Sequence, residues 1–229
     1  MRIAGFVRNS FVDYPGKIAA VLFLPGCNWD CFFCHNRDLI AGVGPTVEEE
    51  EVWAHLERRR GLLDGVVVTG GEPTLHAGLP DLLRRIRSLG LLCKLDTNGS
   101  RPEVVEALLA EGLLDYVALD IKTLPGEYRS ICGPAAEPDA VWRTLSLLRS
   151  SGVAFECRTT FLPQLTVEDI AELAALLAPV PRWALQAYRQ PERYRPEDRL
   201  RVEAAAHPPE EMRRAAEAAR GCAGEVTLR

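Results

Sequence analysis

Six short apolar runs, each followed by a turn and then a helix-like pattern, constrain this chain more than any other feature. The runs cover residues 18–24, 65–69, 91–96, 116–121, 154–161 and 183–188. Each is rich in β-branched residues or leucine and has turn residues near its ends, as strands buried on both faces do. Between and after them, residues 47–60, 79–89, 102–111, 139–150 and 167–177 repeat at helical spacing. Asp139 and Thr166 stand where two of these helices would be capped, and Gly61, Gly90, Gly112 and Gly152 where four would stop. Strands alternating with helices imply a parallel sheet with right-handed crossovers. Six rounds fall short of the eight of a closed barrel. The expected fold is therefore α/β: a partial, open (βα)6 barrel of parallel strands, with a flat doubly wound sheet as the fallback. Residues 2–7 read as an added strand, residues 210–220 as a surface helix and residues 225–228 as a short closing strand. One domain is expected over 1–229, its core at about 16–189 and a C-terminal extension at about 190–229.

A net charge of −5 with no dominant basic face argues against nucleic acid and against a polybasic membrane binder. The arginines at 58–60 and 193–201 have acidic neighbours and read as solvated surface. Asp13 and Lys17 interrupt the first 24 residues, so no secretory signal is expected. No segment approaches the ~20 apolar residues of a membrane span. The expected location is the cytoplasm, where seven cysteines point to metal or redox chemistry more than to disulfides.

Three of those cysteines, Cys27, Cys31 and Cys34, have the spacing C-x3-C-x2-C directly after the first predicted strand. Three thiolates so close in sequence can hold three irons of a cubane and leave the fourth iron to a chelating small molecule. The alternatives are a zinc site and three unrelated cysteines. A closed zinc site wants a fourth ligand, and His35, adjacent to Cys34, is badly placed to complete a tetrahedron.

On these residues the chain resembles the radical S-adenosylmethionine superfamily, whose signature is C-x3-C-x-aromatic-C, with Phe33 in the aromatic position. The resemblance runs from about Gly16 to Tyr188. It implies a partial TIM-like barrel, a [4Fe–4S] cluster on Cys27, Cys31 and Cys34, and S-adenosylmethionine as cofactor. Phe33 would lie near the adenine, with His35 also among the cofactor-binding residues. The stretch Thr69-Gly70-Gly71-Glu72-Pro73, a common turn if taken alone, matches the family's GGE motif. There Gly70 and Gly71 would let the backbone approach the cofactor and Glu72 would accept from its ammonium. The stretches Asp96-Thr97-Asn98-Gly99 and Asp120-Ile121-Lys122, otherwise an Asn-Gly turn and a rim salt bridge, are similar to those of glycyl radical activating enzymes. By that likeness Lys122 faces the methionine carboxylate, Asp96, Thr97 and Asp120 line its polar end or a bound monovalent cation, and Asn98 is also among the cofactor-binding residues. Arg158, charged in an apolar run, needs either a cofactor carboxylate or a structural ion pair. Gln186 would contact adenosine or ribose. All these motifs fall at carboxyl ends of predicted strands, which meet at one face of a parallel barrel.

The chemistry so implied is transfer of one electron from the reduced cluster to S-adenosylmethionine, yielding methionine and a 5′-deoxyadenosyl radical. The segment from Ser10 to Lys17, with Cys34-His35-Asn36, is similar to the activating proteins of anaerobic ribonucleoside-triphosphate reductase. That likeness implies as partner a glycyl radical enzyme, anaerobic ribonucleotide reductase, one of whose backbone glycines loses its α-hydrogen, and an electron donor such as flavodoxin or ferredoxin. The roughly 35 residues between Cys34 and Gly70 contain no cysteine, so an insert with extra clusters is not expected. Cys93, Cys132, Cys157 and Cys222 read as isolated small residues, and His55 and His76 as structural. A radical enzyme acting on another peptide or small molecule, and a non-catalytic iron–sulfur or zinc module, are the competing readings.

Overall fold

Val66, Val67 and Val68 are successive β-branched residues, all fully buried, and such a run needs cover on both faces. The computed structural model describes residues 1–42, 44 and 46–229. Its strands are β1 (Gly5–Ser10), β2 (Ala19–Leu24), β3 (Gly65–Gly70), β4 (Leu92–Thr97), β5 (Tyr116–Asp120), β6 (Ala154–Phe161), β7 (Val180–Ala187) and β8 (Ala223–Leu228). They form one sheet in sequence order. β1 is antiparallel to β2 and every later pair is parallel. Among the described residues β1 and β8 do not pair, so the barrel is open. The six parallel strands expected become seven, because β8 continues the sheet beside β7.

The helices are α1 (Arg37–Ile40), α2 (Glu49–Arg58), α3 (Leu79–Ser88), α4 (Pro102–Ala110), α5 (Tyr128–Cys132), α6 (Pro138–Ser151), α7 (Val167–Leu177), α8 (Arg199–Val202) and α9 (Pro209–Ala219). Thr166 caps α7 in a reciprocal capping box with Asp169. Asp139 does not cap α6: Pro138, with its preset φ, begins that helix one residue earlier and leaves Asp139 in the first turn. α9 packs on α7, which makes the α9–β8 segment a sixth crossover rather than a loose tail. No helix is long and apolar enough to cross a membrane among the described residues.

The two faces of the sheet differ. Outward-facing Val66, Val68, Leu95, Val117 and Leu119 join Leu83, Ile86 and Leu145 of the helices in one continuous core. Inside the barrel, at the amino ends of the strands, Tyr14, Ala19, Val21 and Val67 form a separate small cluster. Tyr14 lies 5.7 Å from the Tyr116 ring and closes that end. The interior at the carboxyl ends is left to polar side chains.

Candidate active site

β2 runs directly into the cysteine loop, so Cys27, Cys31 and Cys34 sit at the carboxyl-end rim on the wall of one cavity of about 290 Å3. The turn after β3 fits under that loop because it lacks side chains. A Cβ at Gly70 would collide with the Leu24 backbone, and one at Gly71 with the carbonyl of Gly26. Gly71 N–H donates to Leu24 at 2.9 Å and Glu72 N–H to Gly26 at 2.8 Å. The glycines therefore permit approach of the cysteine loop as well as of anything in the cavity.

Phe33, His35, Gly70, Gly71, Asp96, Thr97, Asn98, Asp120, Lys122, Arg158 and Gln186 line the same cavity as the three cysteines. Phe33 is buried and His35 exposed at the rim. Glu72 is the exception, and the contact expected of it is corrected. Its carboxylate is fully buried and accepts from Thr74 N–H (3.0 Å), the Thr74 hydroxyl (2.5 Å), the Thr97 hydroxyl (2.8 Å) and Asn98 N–H (2.7 Å). Burial pushes this acid up while those donors pull it down. With that many protein donors, Glu72 ties the β3 and β4 loops together instead of reaching a ligand.

A chain of alternating charges crosses three strands. Lys94 pairs with Asp96; Arg158 Nη1 donates to Asp96 and its Nε to Asp120, both at 2.8 Å; Lys122 donates to Asp120 at 2.8 Å. Arg158 thus has the structural ion pair, and it places a positive charge between the two carboxylates. Burial would raise the Asp120 carboxyl, but Arg158 and Lys122 hold it well below the usual range. Asp96 is likewise lowered against burial, by Arg158 and Lys94. Lys94 backs the network from outside the cavity lining, and the lining itself balances Arg158 and Lys122 against Asp96 and Asp120.

The donor set fits a cluster. Among the described residues no three His, Cys, Asp or Glu side chains close on one point as a single ion needs; the three sulfurs are instead arranged around a cavity. Burial pushes the Cys27 thiol up to about 12 and raises Cys34 too, so metal binding there must release protons. Trp29 Nε1 is a buried donor in this wall without a partner among the described residues, a group that a bound acceptor would satisfy.

Sequence reasoning missed Lys94, Thr69, Thr160 and Asn36. Lys94 was accessible to the argument used for Arg158, a charge inside an apolar strand. Of the arginines after β7, Arg193 and Arg199 are exposed as expected, while Arg195 and Arg201 are half-buried against the cysteine loop. Arg195 donates to Asp30 at 2.7 Å, opposite Arg37 at 2.6 Å on the same carboxylate, and Arg201 lies 4.0 Å over the Phe32 ring. Arg195 and Arg201, still partly solvated, also hold the cysteine loop, a role decided by partners some 165 positions away.

The site is thus an open barrel, parallel but for β1, whose rim carries three cysteines around a polar cavity. The Radical SAM superfamily matches residues 21–177. A protein of Methanocaldococcus jannaschii, named for glycyl-radical enzyme activation, is 33% identical over 198 residues, 84% of this chain and 82% of that one. The pyruvate formate-lyase-activating enzyme of Clostridium pasteurianum is 32% identical over 77% of this chain and 76% of its own. The crystal structure of Streptococcus suis SuiB bound to S-adenosylmethionine superposes with a TM-score of 0.67 at 18% identity, over 91% of this chain. The chain spans about half the length of that structure, 51%, and the likeness is one of fold. This chain belongs to the radical S-adenosylmethionine superfamily, whose cofactors are a [4Fe–4S] cluster and S-adenosylmethionine, and glycyl-radical activating enzymes are among its relatives.

Proposed function

We propose that this chain installs a glycyl radical on a partner enzyme, and that the partner is the anaerobic ribonucleoside-triphosphate reductase. The observation that carries the reading is the gathering of Cys27, Cys31 and Cys34 on one cavity wall with Gly70, Asp96, Asp120, Lys122 and Gln186. Likeness to a glycyl-radical activating protein over most of both chains supports it. In this reading the three cysteines hold three irons and leave one to S-adenosylmethionine. When bound, the two cofactors supply a one-electron reductive cleavage that delivers a 5′-deoxyadenosyl radical. The protein binds, orients and keeps dry. Lys122, whose ammonium Asp120 holds charged against the effect of burial, is poised for the methionine carboxylate. Phe33 gives the adenine an apolar wall, Gln186 offers a contact to the ribose, and buried Trp29 and Phe33 exclude water. Asp96, Thr97 and Asn98 form the polar end, with Glu72 fixing their loop. All seven cysteines are free, which suits the reducing cytoplasm and a flavodoxin or ferredoxin as electron donor.

The test is anaerobic incubation of reconstituted protein with dithionite and S-adenosylmethionine, followed by quantification of 5′-deoxyadenosine. Cluster-dependent product is expected, and a glycyl radical should then appear by electron paramagnetic resonance when the reductase is added. Product without any radical on the reductase would sink the partner. No product with or without the reductase, from protein holding a reducible cluster, would sink the activity.

A further inference from the structure

Asn98 is buried at the head of the loop after β4, in the cavity wall that also carries Cys27. Its backbone is fixed on both sides. Asn98 N–H donates to the Glu72 carboxylate at 2.7 Å, and the Gly99 carbonyl accepts from the Thr144 hydroxyl at 2.8 Å. Gly99 turns at a positive φ of 76°, and a Cβ there would stand 2.6 Å from Leu119 Cδ1. One neighbour then orients the side-chain amide. The backbone N–H of Ser100 can only donate, so the atom 2.9 Å from it is the Asn98 oxygen, Oδ1. The amide nitrogen therefore faces the other way, 3.1 Å from Asn28 Oδ1 and 4.0 Å from Cys27 Sγ. Asn28 is oriented in turn. Its oxygen meets Asn98, and its own Nδ2 donates to the Ser100 hydroxyl at 2.9 Å. An amide nitrogen carries two hydrogens. That of Asn98 gives one to Asn28 and has the second left for the sulfur.

We propose that Asn98 is a positioning residue for the cluster, its amide N–H donating to the sulfur of Cys27 and so raising the cluster's reduction potential. The direction of the bond follows from valence. A sulfur bound to iron is a thiolate with no proton to give, so the amide is the donor. Hydrogen bonds to the sulfurs stabilise the reduced, more negative state of a cluster. Reduction by dithionite adds one electron to the cluster, and both amide hydrogens stay on Asn98. At 4.0 Å the contact is long, so the shift is small and its sign is fixed. The same amide ties the cysteine loop to the β4 loop through Asn28.

The inference rests on Cys27, Cys31 and Cys34 being the ligands. The experiment is a redox titration of the reconstituted protein with dithionite, followed by electron paramagnetic resonance, without S-adenosylmethionine. Midpoints are read without turnover, so the proposed function can fail while this inference stands. Wild type is compared with Asn98→Ala, Asn98→Asp and Ser100→Ala at equal iron and sulfide content. The midpoint of Asn98→Ala should move to more negative potential. Asn98→Asp should move further the same way, because it keeps the shape and puts an anionic oxygen where the donor stood. Ser100→Ala removes the hydroxyl behind Asn28, leaves the Asn98 amide in place, and should keep the wild-type midpoint. An unmoved midpoint in Asn98→Ala, or an equal shift in Ser100→Ala, would overturn the inference alone. Should Asn98→Ala hold no iron, Asn98→Asp decides: a more negative midpoint supports the inference, and one at or above wild type ends it. Wild-type protein that assembles no cluster would overturn the ligand assignment and the inference with it.

Discussion

The two ends of the barrel interior belong to one sheet and its inner face, yet they share almost no chemistry. At the amino ends Tyr14, Ala19, Val21 and Val67 pack into a dry plug. At the carboxyl ends Lys94, Asp96, Asp120, Lys122 and Arg158 form a buried ladder of charge beneath the three cysteines. Along β4 the change takes two residues, from Leu92 beside the plug to Lys94 in the ladder. Burying a plug stabilises the chain. Burying paired charges contributes little net stability, but breaking the pairing is strongly destabilising. The plugged end therefore holds the sheet together, and the charged end uses that rigidity to keep a polar cavity in shape.

This contrast can be broken by substitution. The largest effect is expected at the rim: Cys27→Ala, Cys31→Ala or Cys34→Ala should each abolish both the cluster and 5′-deoxyadenosine formation, with the apo fold's circular dichroism unchanged. One variant with full activity would end the ligand assignment. Next, Arg158→Gln takes one of two cations from each of Asp96 and Asp120, which keep Lys94 and Lys122, and should destabilise the protein in denaturant titration by less than the about 3–5 kcal/mol of a fully broken buried pair. Its pH signature has a definite sign. Asp96 and Asp120 have folded pKa values below their unfolded ones. Their contribution is therefore complete above the unfolded value, near pH ~4, and is lost as pH falls through the folded values. Wild type should show that acid loss, and Arg158→Gln should show less of it.

At the other end, Tyr14→Ala should lower stability by about 3 kcal/mol through the cavity it leaves, while iron content per folded chain stays at the wild-type level. Iron lost in proportion to stability would erase the distinction between the ends. The smallest change, Thr166→Ala, removes the α7 cap remote from both ends and should lower stability by about 1 kcal/mol. Equilibrium unfolding would measure it, and activity should not move.

Much of the fold was legible because its signals are local. The 154–161 and 167–177 boundaries matched the structure, since β-branched runs and a capping box act within a few residues. β8 was read as a short closing strand, but its place as a seventh parallel strand depends on α9 packing against α7, a contact no window of sequence contains. At the site, the cavity collects the cysteines and the strand-end residues because register brings those ends to one level. Glu72 departed from expectation because the Thr97 and Asn98 donors, about 25 positions away, reach its carboxylate first.

By itself the sequence determined the period of strands and helices, the cysteine spacing and the positions of glycine, all of which act over short stretches of chain. The tertiary structure alone decided which charges meet. Asp30 held between Arg37 and Arg195 and Arg158 between Asp96 and Asp120 each depend on segments that the fold brings together. The physical reason is one of range: backbone preference and hydrophobic period are felt over a few residues, whereas a buried charge or thiol is satisfied by whatever the fold sets beside it.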